Sequence, residues 1–124
     1  MSLVLVDTSV WIDHLHRSDA ALIRLLEANL VVTHPRVIGE LALGSIRNRT
    51  EVLGLLTGLP LAATARHDEV LLLIENRRLY GRGLSIVDVE LLASALVGPD
   101  TRVFTRDRRL AEVCDEAGVL FRAN

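Results

Sequence analysis

The sequence contains no lysine, because all 14 of its basic residues are arginine. Reactions that need a lysine are therefore excluded, among them Schiff-base catalysis and phosphate binding by a P-loop lysine. Cysteine occurs once, so no disulfide can form within the chain, and we predict that Cys114 is a small core residue. Aromatic residues make up only 3% of the chain, which predicts an aliphatic core.

A long apolar run is also missing. The longest stretch without a charged residue, 52–65, is interrupted by glycine and proline, and it is shorter than the roughly 20 residues that a membrane span needs. The first residues show no basic segment followed by a long apolar one, so we expect no signal peptide. These absences predict a cytoplasmic protein with no contact to the membrane.

The chain has 124 residues, half of them hydrophobic, with a mean hydropathy of +0.35. This size and composition predict a single folded domain over 1–124 and exclude disorder. The net charge of −2 excludes binding to nucleic acid by overall charge, so such binding would need a local arginine patch. The high apolar fraction indicates that a partner covers part of the surface, and we expect a homodimer.

Short apolar segments alternate with amphipathic ones along the whole chain. This alternation predicts an α/β fold in which helices flank a mainly parallel sheet. Helices are expected between and after the strands, with the third running from Pro35 past Ile46 and the fifth from 66 to 80. The predicted strands cover residues 3–6, 30–33, 61–64, 102–105 and 119–121.

Four acidic residues stand where such a fold binds its ligands, beyond the carboxyl ends of the strands. Asp7 follows the first strand, and Asp107 comes two residues after the fourth. Asp88 is in the first turn of a predicted helix, and Glu40 is one turn into another. Each also has a structural interpretation, since Asp7, Asp88 and Asp107 suit helix caps and Glu40 suits a solvated helix face.

Considered together, the four acids favour a metal site. Carboxylates that converge repel one another by several kcal/mol for each close pair at an effective dielectric constant near 20. Cations relieve that repulsion, and carboxylates with water and phosphate oxygens are the preferred ligands of Mg²⁺ and Mn²⁺. Phosphodiester hydrolysis is the chemistry that such ions support.

Four segments of the chain resemble the four motifs of PIN-domain ribonucleases, in the same order. They also resemble, more narrowly, the VapC toxins of the VapBC toxin–antitoxin family. The segments cover nearly the whole chain and contain one of the four acids each. They are Val4–Ile12, Ile38–Gly44, Ser85–Ala95 and Val103–Leu110.

This resemblance implies a PIN-like three-layer sandwich with a five-stranded sheet in the order 3-2-1-4-5. It implies a toxin endoribonuclease that needs Mg²⁺ or Mn²⁺, cleaves RNA with a metal-activated water, and is blocked by a VapB-like antitoxin. The resemblance also implies that Thr105 holds a metal-bound water. The alternative is that its hydroxyl lies at the end of a strand and has no such role. The catalytic and metal-binding residues would be Asp7, Glu40, Asp88 and Asp107.

Contact with RNA would need positive charge beside these acids. Arg106, Arg108 and Arg109 flank Asp107 and are the candidates for it. The alternative is that these arginines stabilise a helix end.

Two other functions remain compatible with the same residues. A metal nuclease acting on DNA, or a phosphatase, would use the same acids. A binding module without catalysis would use them only as helix caps.

Overall fold

The computed structural model describes residues 1–123. In this part of the chain there are three strands, β1 (Leu3–Val6), β2 (Val31–Val32) and β3 (Thr101–Phe104). None of the helices there has the length and apolarity of a membrane span. The helices are α1 (Thr8–His16), α2 (Ala20–Glu27), α3 (Pro35–Leu43), α4 (Arg49–Thr57), α5 (His67–Arg77), α6 (Ile86–Val97) and α7 (Arg108–Glu116).

The three strands form one parallel sheet in the order β2-β1-β3. Leu5 is opposite Val32 on one side and opposite Val103 on the other. Val4, Leu5 and Val6 are at most 1% exposed, so both faces of the central strand are covered. Parallel sheets are expected to be covered in this way, because the helical crossovers lie on their faces. The α/β fold with a parallel sheet is therefore confirmed.

The prediction of a five-stranded sheet is wrong, because the two outer segments each make a single β-bridge. Leu61 is paired with Thr33, and Leu120 is paired with Val103, both in parallel. The first pairing ends after Thr33 because the next residue, His34, already begins the cap of α3. The outer segments still lie where the order 3-2-1-4-5 would place strands, beyond β2 and beyond β3.

Two helices are shorter than the apolar spacing predicts. α3 ends at Leu43, because Gly44 is extended (ψ 164°) and its N–H donates to the carbonyl oxygen of Leu41. Ser45 and Ile46 therefore lie outside the helix, and Glu40 falls in its last turn. α5 ends before Arg78, which has a left-handed backbone (φ 53°).

The core is aliphatic, as the composition predicts. It surrounds the sheet and contains Trp11, the largest fully buried side chain. Cys114 belongs to it, which confirms the prediction of a small core residue. Tyr80, just beyond the end of α5, lies outside the core and is 61% exposed.

Candidate active site at the carboxyl edge of the sheet

Asp7 lies at the carboxyl end of the central strand and is only 7% exposed. Its backbone N–H donates to the carbonyl oxygen of Phe104 at 2.8 Å, which joins the ends of β1 and β3. Its Oδ1 accepts a hydrogen bond from the N–H of Thr8 at 2.8 Å, so Asp7 caps α1. The carboxylate is therefore fixed by the first turn of the helix that it caps.

Two hydroxyl groups hold the other oxygen of this carboxylate. Thr105 Oγ1 donates to Asp7 Oδ2 at 2.7 Å, and Ser9 Oγ donates to the same atom at 2.9 Å. Each hydroxyl also accepts a backbone N–H at 3.0 Å, Thr105 from Asp107 and Ser9 from Arg106. Thr105 is thus half-buried between two of the predicted metal ligands, and it contacts Asp7 directly.

Asp107 is the N-cap of α7, as its structural interpretation expects. Its Oδ1 accepts the N–H of Arg109 at 2.9 Å and the N–H of Leu110 at 3.2 Å. Its Oδ2 accepts no hydrogen bond from the residues that the structure describes. One oxygen of this exposed carboxylate therefore stabilises the helix, and the other is available to a ligand.

Asp88 is arranged in the same way at the start of α6. Its Oδ2 accepts the N–H of Ser85 at 2.9 Å, while Ser85 Oγ accepts the N–H of Asp88 at 3.1 Å, which completes a capping box. Burial raises the pKa of the Asp88 carboxyl above its ordinary value, and the charges of Asp107 and Asp7 raise it further, whereas Ser85 opposes the shift. Asp7 and Asp107 therefore lie close enough to Asp88 for their charges to act on it.

Glu40 reaches this edge through a residue that the sequence analysis does not single out. Thr8 Oγ1 donates to Glu40 Oε1 at 2.7 Å and so connects the first turn of α1 to the last turn of α3. The only sequence signal for Thr8 is its position directly after Asp7. Glu40 is exposed, and no side chain in residues 1–123 donates to its Oε2.

These donors suit a hard divalent cation. Three acids each have an oxygen that accepts no hydrogen bond from the described residues, and these acids are Glu40, Asp88 and Asp107. Among residues 1–123, however, no three His, Cys, Asp or Glu side chains are close enough to form a complete metal site. Mg²⁺ commonly binds through one or two carboxylates together with waters and substrate phosphates, so an open carboxylate edge fits its chemistry.

The three arginines around Asp107 have different surroundings. Arg106 forms ion pairs with Asp13 at 3.2 Å and with Asp19, and its Cζ lies 5.4 Å from the ring centroid of Phe104. It therefore links α1, α2 and β3. Arg108 and Arg109 make no ion pair within the described part of the chain, and they occupy the first two positions of α7. The positive end of the helix dipole disfavours cations there, so these two do not stabilise the helix end.

The single thiol takes no part in this site as a nucleophile. Burial raises the pKa of Cys114 to about 12, and the nearby carboxylates of Asp7 and Asp88 add to the shift. A thiol with so high a pKa stays protonated at neutral pH and is unreactive.

Comparison with known proteins relates this chain to one family. The family model of the PIN domain matches residues 4–116. Ribonuclease VapC32, recorded from two strains of Mycobacterium tuberculosis, is 51% identical over 117 residues, which are 94% of this chain and 94% of that protein. The crystal structure of PAE2754 from Pyrobaculum aerophilum superimposes with a TM-score of 0.58 over 90% of this chain and 78% of that one. Its identity is 18%, so it shows the fold alone.

Proposed function

The chain belongs to the PIN-domain family and, within it, to the VapC ribonucleases, and from that premise we propose that it is a toxin endoribonuclease dependent on Mg²⁺ or Mn²⁺. It would be one half of a type II toxin–antitoxin pair and would act on RNA in the cytoplasm. The similarity to ribonuclease VapC32 over 94% of both chains supports the substrate class. The identity of the ion, Mg²⁺ or Mn²⁺, is part of this proposal.

One observation of the structure supports the proposal. Asp7 is buried at the end of the central strand, and the pKa of Asp88 is raised first by burial and further by the charges of Asp107 and Asp7. Carboxylates placed together in this way favour the binding of a cation, which relieves their repulsion. Helix capping alone does not require Asp7 and Asp107 to lie near enough to Asp88 to act on its pKa.

In this proposal Asp7, Glu40, Asp88 and Asp107 hold the divalent ion. A bound ion of this kind lowers the pKa of water and neutralises charge on the scissile phosphate. Asp7 is the central ligand, because three hydrogen bonds fix its orientation. Glu40 and Asp107 are more exposed and reach the site through the oxygens that their own helices leave unused.

The remaining residues position these acids and the RNA. Thr105 and Ser9 orient Asp7, and their hydroxyls also hold the backbone of Arg106 and Asp107 at the end of β3. Arg108 and Arg109 supply positive charge next to Asp107. Arg106 contributes through its ion pairs to the shape of the site, so we propose no RNA contact for its side chain.

Substitution of the central ligand tests the proposal. We expect Asp7→Asn to lower RNA cleavage by orders of magnitude, because it removes a charge from the proposed cation site and keeps the shape of the side chain. EDTA should abolish cleavage by the native chain, and Mg²⁺ or Mn²⁺ should restore it. Asp68→Asn, at an exposed acid in the first turn of α5, is the matched control and should cleave normally. Full activity with EDTA would exclude the metal-dependent mechanism.

Parallel assays on RNA, single-stranded DNA and a phosphate monoester separate this function from its alternatives. Cleavage of RNA alone supports the endoribonuclease. Faster hydrolysis of DNA, or of the monoester, would make the chain a DNA nuclease or a phosphatase. Binding to RNA without any hydrolysis in Mg²⁺ or Mn²⁺ would make it a binding module.

The VapB-like antitoxin is the first of two proposed partners. Thr8, Ile12 and Leu15 lie on one face of α1, because they are four and three residues apart. Ile12 and Leu15 line a groove of about 310 Å³ together with the segment that follows α3. An antitoxin segment in this groove would lie beside Thr8 and Glu40 and would cover the site.

A charge placed in the groove tests this assignment. Ile12→Asp should weaken binding of the cognate antitoxin in calorimetry, while Ile23→Asp on α2 should not. The two isoleucines are 41% and 38% exposed, so neither substitution should unfold the chain. Equal affinities of the two variants would move the antitoxin to another surface.

A second copy of the chain is the other proposed partner. Leu72 and Val97, 60% and 48% exposed, lie in an apolar groove between α5 and α6. Two copies that meet at this face would bury it against itself in a symmetric dimer. Leu72→Arg should shift the sedimentation coefficient to that of a monomer, whereas Leu55→Arg on α4 should leave a dimer. A native chain that sediments as a monomer would exclude the dimer.

A further inference from the structure

The position of Arg109 at the start of α7 is unfavourable for the helix and calls for another explanation. Asp107 is the N-cap, so Arg108 and Arg109 are the first two helical residues, and no acidic residue lies in that first turn. The helix dipole is positive at this end and repels a cation. Two adjacent arginines here therefore do not serve helix stability.

The guanidinium of Arg109 lies against the backbone of Gly83, in the loop between α5 and α6. A Cβ at position 83 would lie 2.9 Å from both Cζ and Nη1 of Arg109. A side chain at this position would therefore displace the guanidinium. The glycine also has φ +77°, in the left-handed region that disfavours other residues. The missing side chain at Gly83 thus leaves the space that the guanidinium of Arg109 occupies.

Arg82, the neighbour of Gly83, keeps the acids of α7 away from Arg109. Its guanidinium forms ion pairs with Glu112 at 3.3 Å and with Glu116 at 2.7 Å. Glu112 is three residues after Arg109 on the same helix, which is the spacing at which the two would otherwise pair. Because Arg82 binds Glu112, Arg109 is left without an acidic partner among residues 1–123. The same ion pairs fasten the loop to α7.

The outcome is a groove beside one of the proposed metal ligands, in which Arg108 and Arg109 have no ion-pair partner among residues 1–123. Asp107, Arg108 and Arg109 line it together with Arg82 and Glu112, and its volume is about 690 Å³. A planar guanidinium with unused donors is well suited to a phosphate, which it binds with two parallel hydrogen bonds.

We propose that Arg109 binds a backbone phosphate of the RNA next to the one that is cleaved, and that Gly83 is the residue that positions it. This inference rests on the proposed function, because it takes RNA to be the substrate. It adds two things to that function. It selects Arg109 from the three arginines near Asp107, and it gives a role to a loop that carries no acid of the site.

Two glycines of the same loop provide a matched pair of variants. Gly81 and Gly83 have φ +74° and φ +77°, both in the left-handed region, so an alanine strains the backbone at either position. A Cβ at Gly81 would have nothing within 4 Å, whereas a Cβ at Gly83 would contact Arg109. Gly83→Ala therefore displaces the guanidinium, and Gly81→Ala measures the effect of backbone strain alone.

The measurement is the affinity for a fluorescently labelled single-stranded RNA of mixed sequence, in EDTA, over a series of NaCl concentrations. We expect Arg109→Gln to weaken binding about tenfold at low salt and to reduce the slope of log affinity against log salt by about 0.7, the effect of one lost phosphate contact. Gly83→Ala should show the same two changes, and Gly81→Ala should show neither. In a chain that already contains Arg109→Gln, Gly83→Ala should cause no further change in the RNA affinity or in its salt slope.

Arg82→Gln is a second route to the same result. It releases Glu112, which can then pair with Arg109, so this variant should also lower the salt slope. In steady-state cleavage with Mn²⁺, we expect Arg109→Gln, Gly83→Ala and Arg82→Gln to raise KM for the RNA and to leave kcat nearly unchanged. The reason is that the contact between Arg109 and the phosphate is made equally in the bound ground state and in the transition state. A purely structural defect would lower the melting temperature without this pattern.

The outcomes separate this inference from the proposed function. A native chain that does not cleave RNA overturns the proposed function and the inference with it. If the native chain cleaves RNA while Arg109→Gln binds with unchanged affinity and slope, only the role of Arg109 is overturned. If Arg109→Gln shows the loss while Gly83→Ala and Gly81→Ala bind alike, only the role of Gly83 is overturned.

Discussion

At the scale of single residues, the hydroxyl of Thr105 determines how Asp7 and Asp107 are held. It donates to the Asp7 carboxylate and accepts the backbone N–H of Asp107. Thr105→Val keeps the shape of the side chain and removes both hydrogen bonds. We expect it to lower the unfolding free energy by about 1–3 kcal/mol, because partly buried groups lose their partners. Urea denaturation measures this loss.

Thr105→Ser is the matched control, because it keeps the hydroxyl and removes only a methyl group. It should retain most of the stability and most of the RNA cleavage, whereas Thr105→Val should lose cleavage as well. If Thr105→Val destabilises the chain but cleaves RNA at the native rate, the hydroxyl is only a strand-end group. In that case it does not orient Asp7 for the reaction.

The positions of the acids at this scale can be predicted from the sequence, but the long-range partners of these side chains cannot. Asp7, Asp88 and Asp107 follow strands or begin helices, and local patterns reveal such positions. The hydrogen bond between Thr8 and Glu40 joins residues 32 positions apart, and Arg106 reaches Asp13 across 93 positions. Contacts at such separations depend on the packing of whole helices, so no spacing rule predicts them.

At the scale of secondary structure elements, the first turn of α3 depends on the protonation state of His34. Its Nδ1 accepts the N–H of Arg36 at 3.0 Å, and the side chain is 5% exposed. Burial lowers the pKa of His34 below its ordinary value of 6.5; the charge of Glu90 opposes this shift and that of Arg36 adds to it. The neutral form is therefore the one that caps the helix.

The sign of the pH dependence follows from the lowered pKa. As the pH falls, the unfolded chain binds a proton at His34 before the folded chain does. The stabilising contribution is complete above about pH 6.5 and is lost as the pH falls through the lower pKa of the folded state. We expect the unfolding free energy, measured in urea, to fall as the pH drops below about 6.5.

His34→Asn tests the assignment, because asparagine also caps helices but does not titrate in this range. The variant should lose less stability over the same pH interval than the native chain. His67→Asn, at the exposed first residue of α5, should retain the native pH dependence. Equal pH dependence in the native chain and His34→Asn would place the effect at another group.

The same scale explains why the number of strands could not be predicted. Residues 61–64 and 119–121 have the apolar character of strands, and both lie beside the sheet, where strands were expected. How many residues pair is decided by the neighbouring element instead. On the side of Leu61, the neighbour ends at Thr33 because His34 begins a helix cap. Hydrophobicity thus predicts that a segment joins the sheet, but not for how many residues.

At the scale of the whole molecule, the proposed function implies that the acid cluster, made of Asp7, Glu40, Asp88 and Asp107, couples the stability of the fold to divalent cations. An ion that binds only the folded chain stabilises it, by about 2.7 kcal/mol at a hundredfold excess over its dissociation constant. Without an ion, the charges of Asp7 and Asp107 oppose ionisation of Asp88, as its raised pKa indicates. A carboxyl with a raised pKa stabilises the fold only while it is protonated, and this contribution is lost at neutral pH.

Asp88→Asn separates this coupling from helix capping. Asparagine keeps an oxygen that accepts the N–H of Ser85, so the capping box survives, while the charge is removed. In EDTA the variant should melt at the same temperature as the native chain or higher, since a repelled charge is gone. In Mn²⁺ the native chain should be stabilised and the variant should lose most of that gain. Melting curves of both proteins under both conditions provide the measurement.

Asp68→Asn is the control, because Asp68 lies in the first turn of α5, outside the cluster. This variant lacks an acid that favours the helix dipole, so it should melt at a slightly lower temperature than the native chain. That decrease should be the same in EDTA and in Mn²⁺, and the control should keep the full stabilisation by Mn²⁺. If Asp88→Asn behaves like this control, and Mn²⁺ leaves the native melting temperature unchanged, then Asp88 is a helix cap. The proposed cation site would in that case lose the acid whose raised pKa supports it.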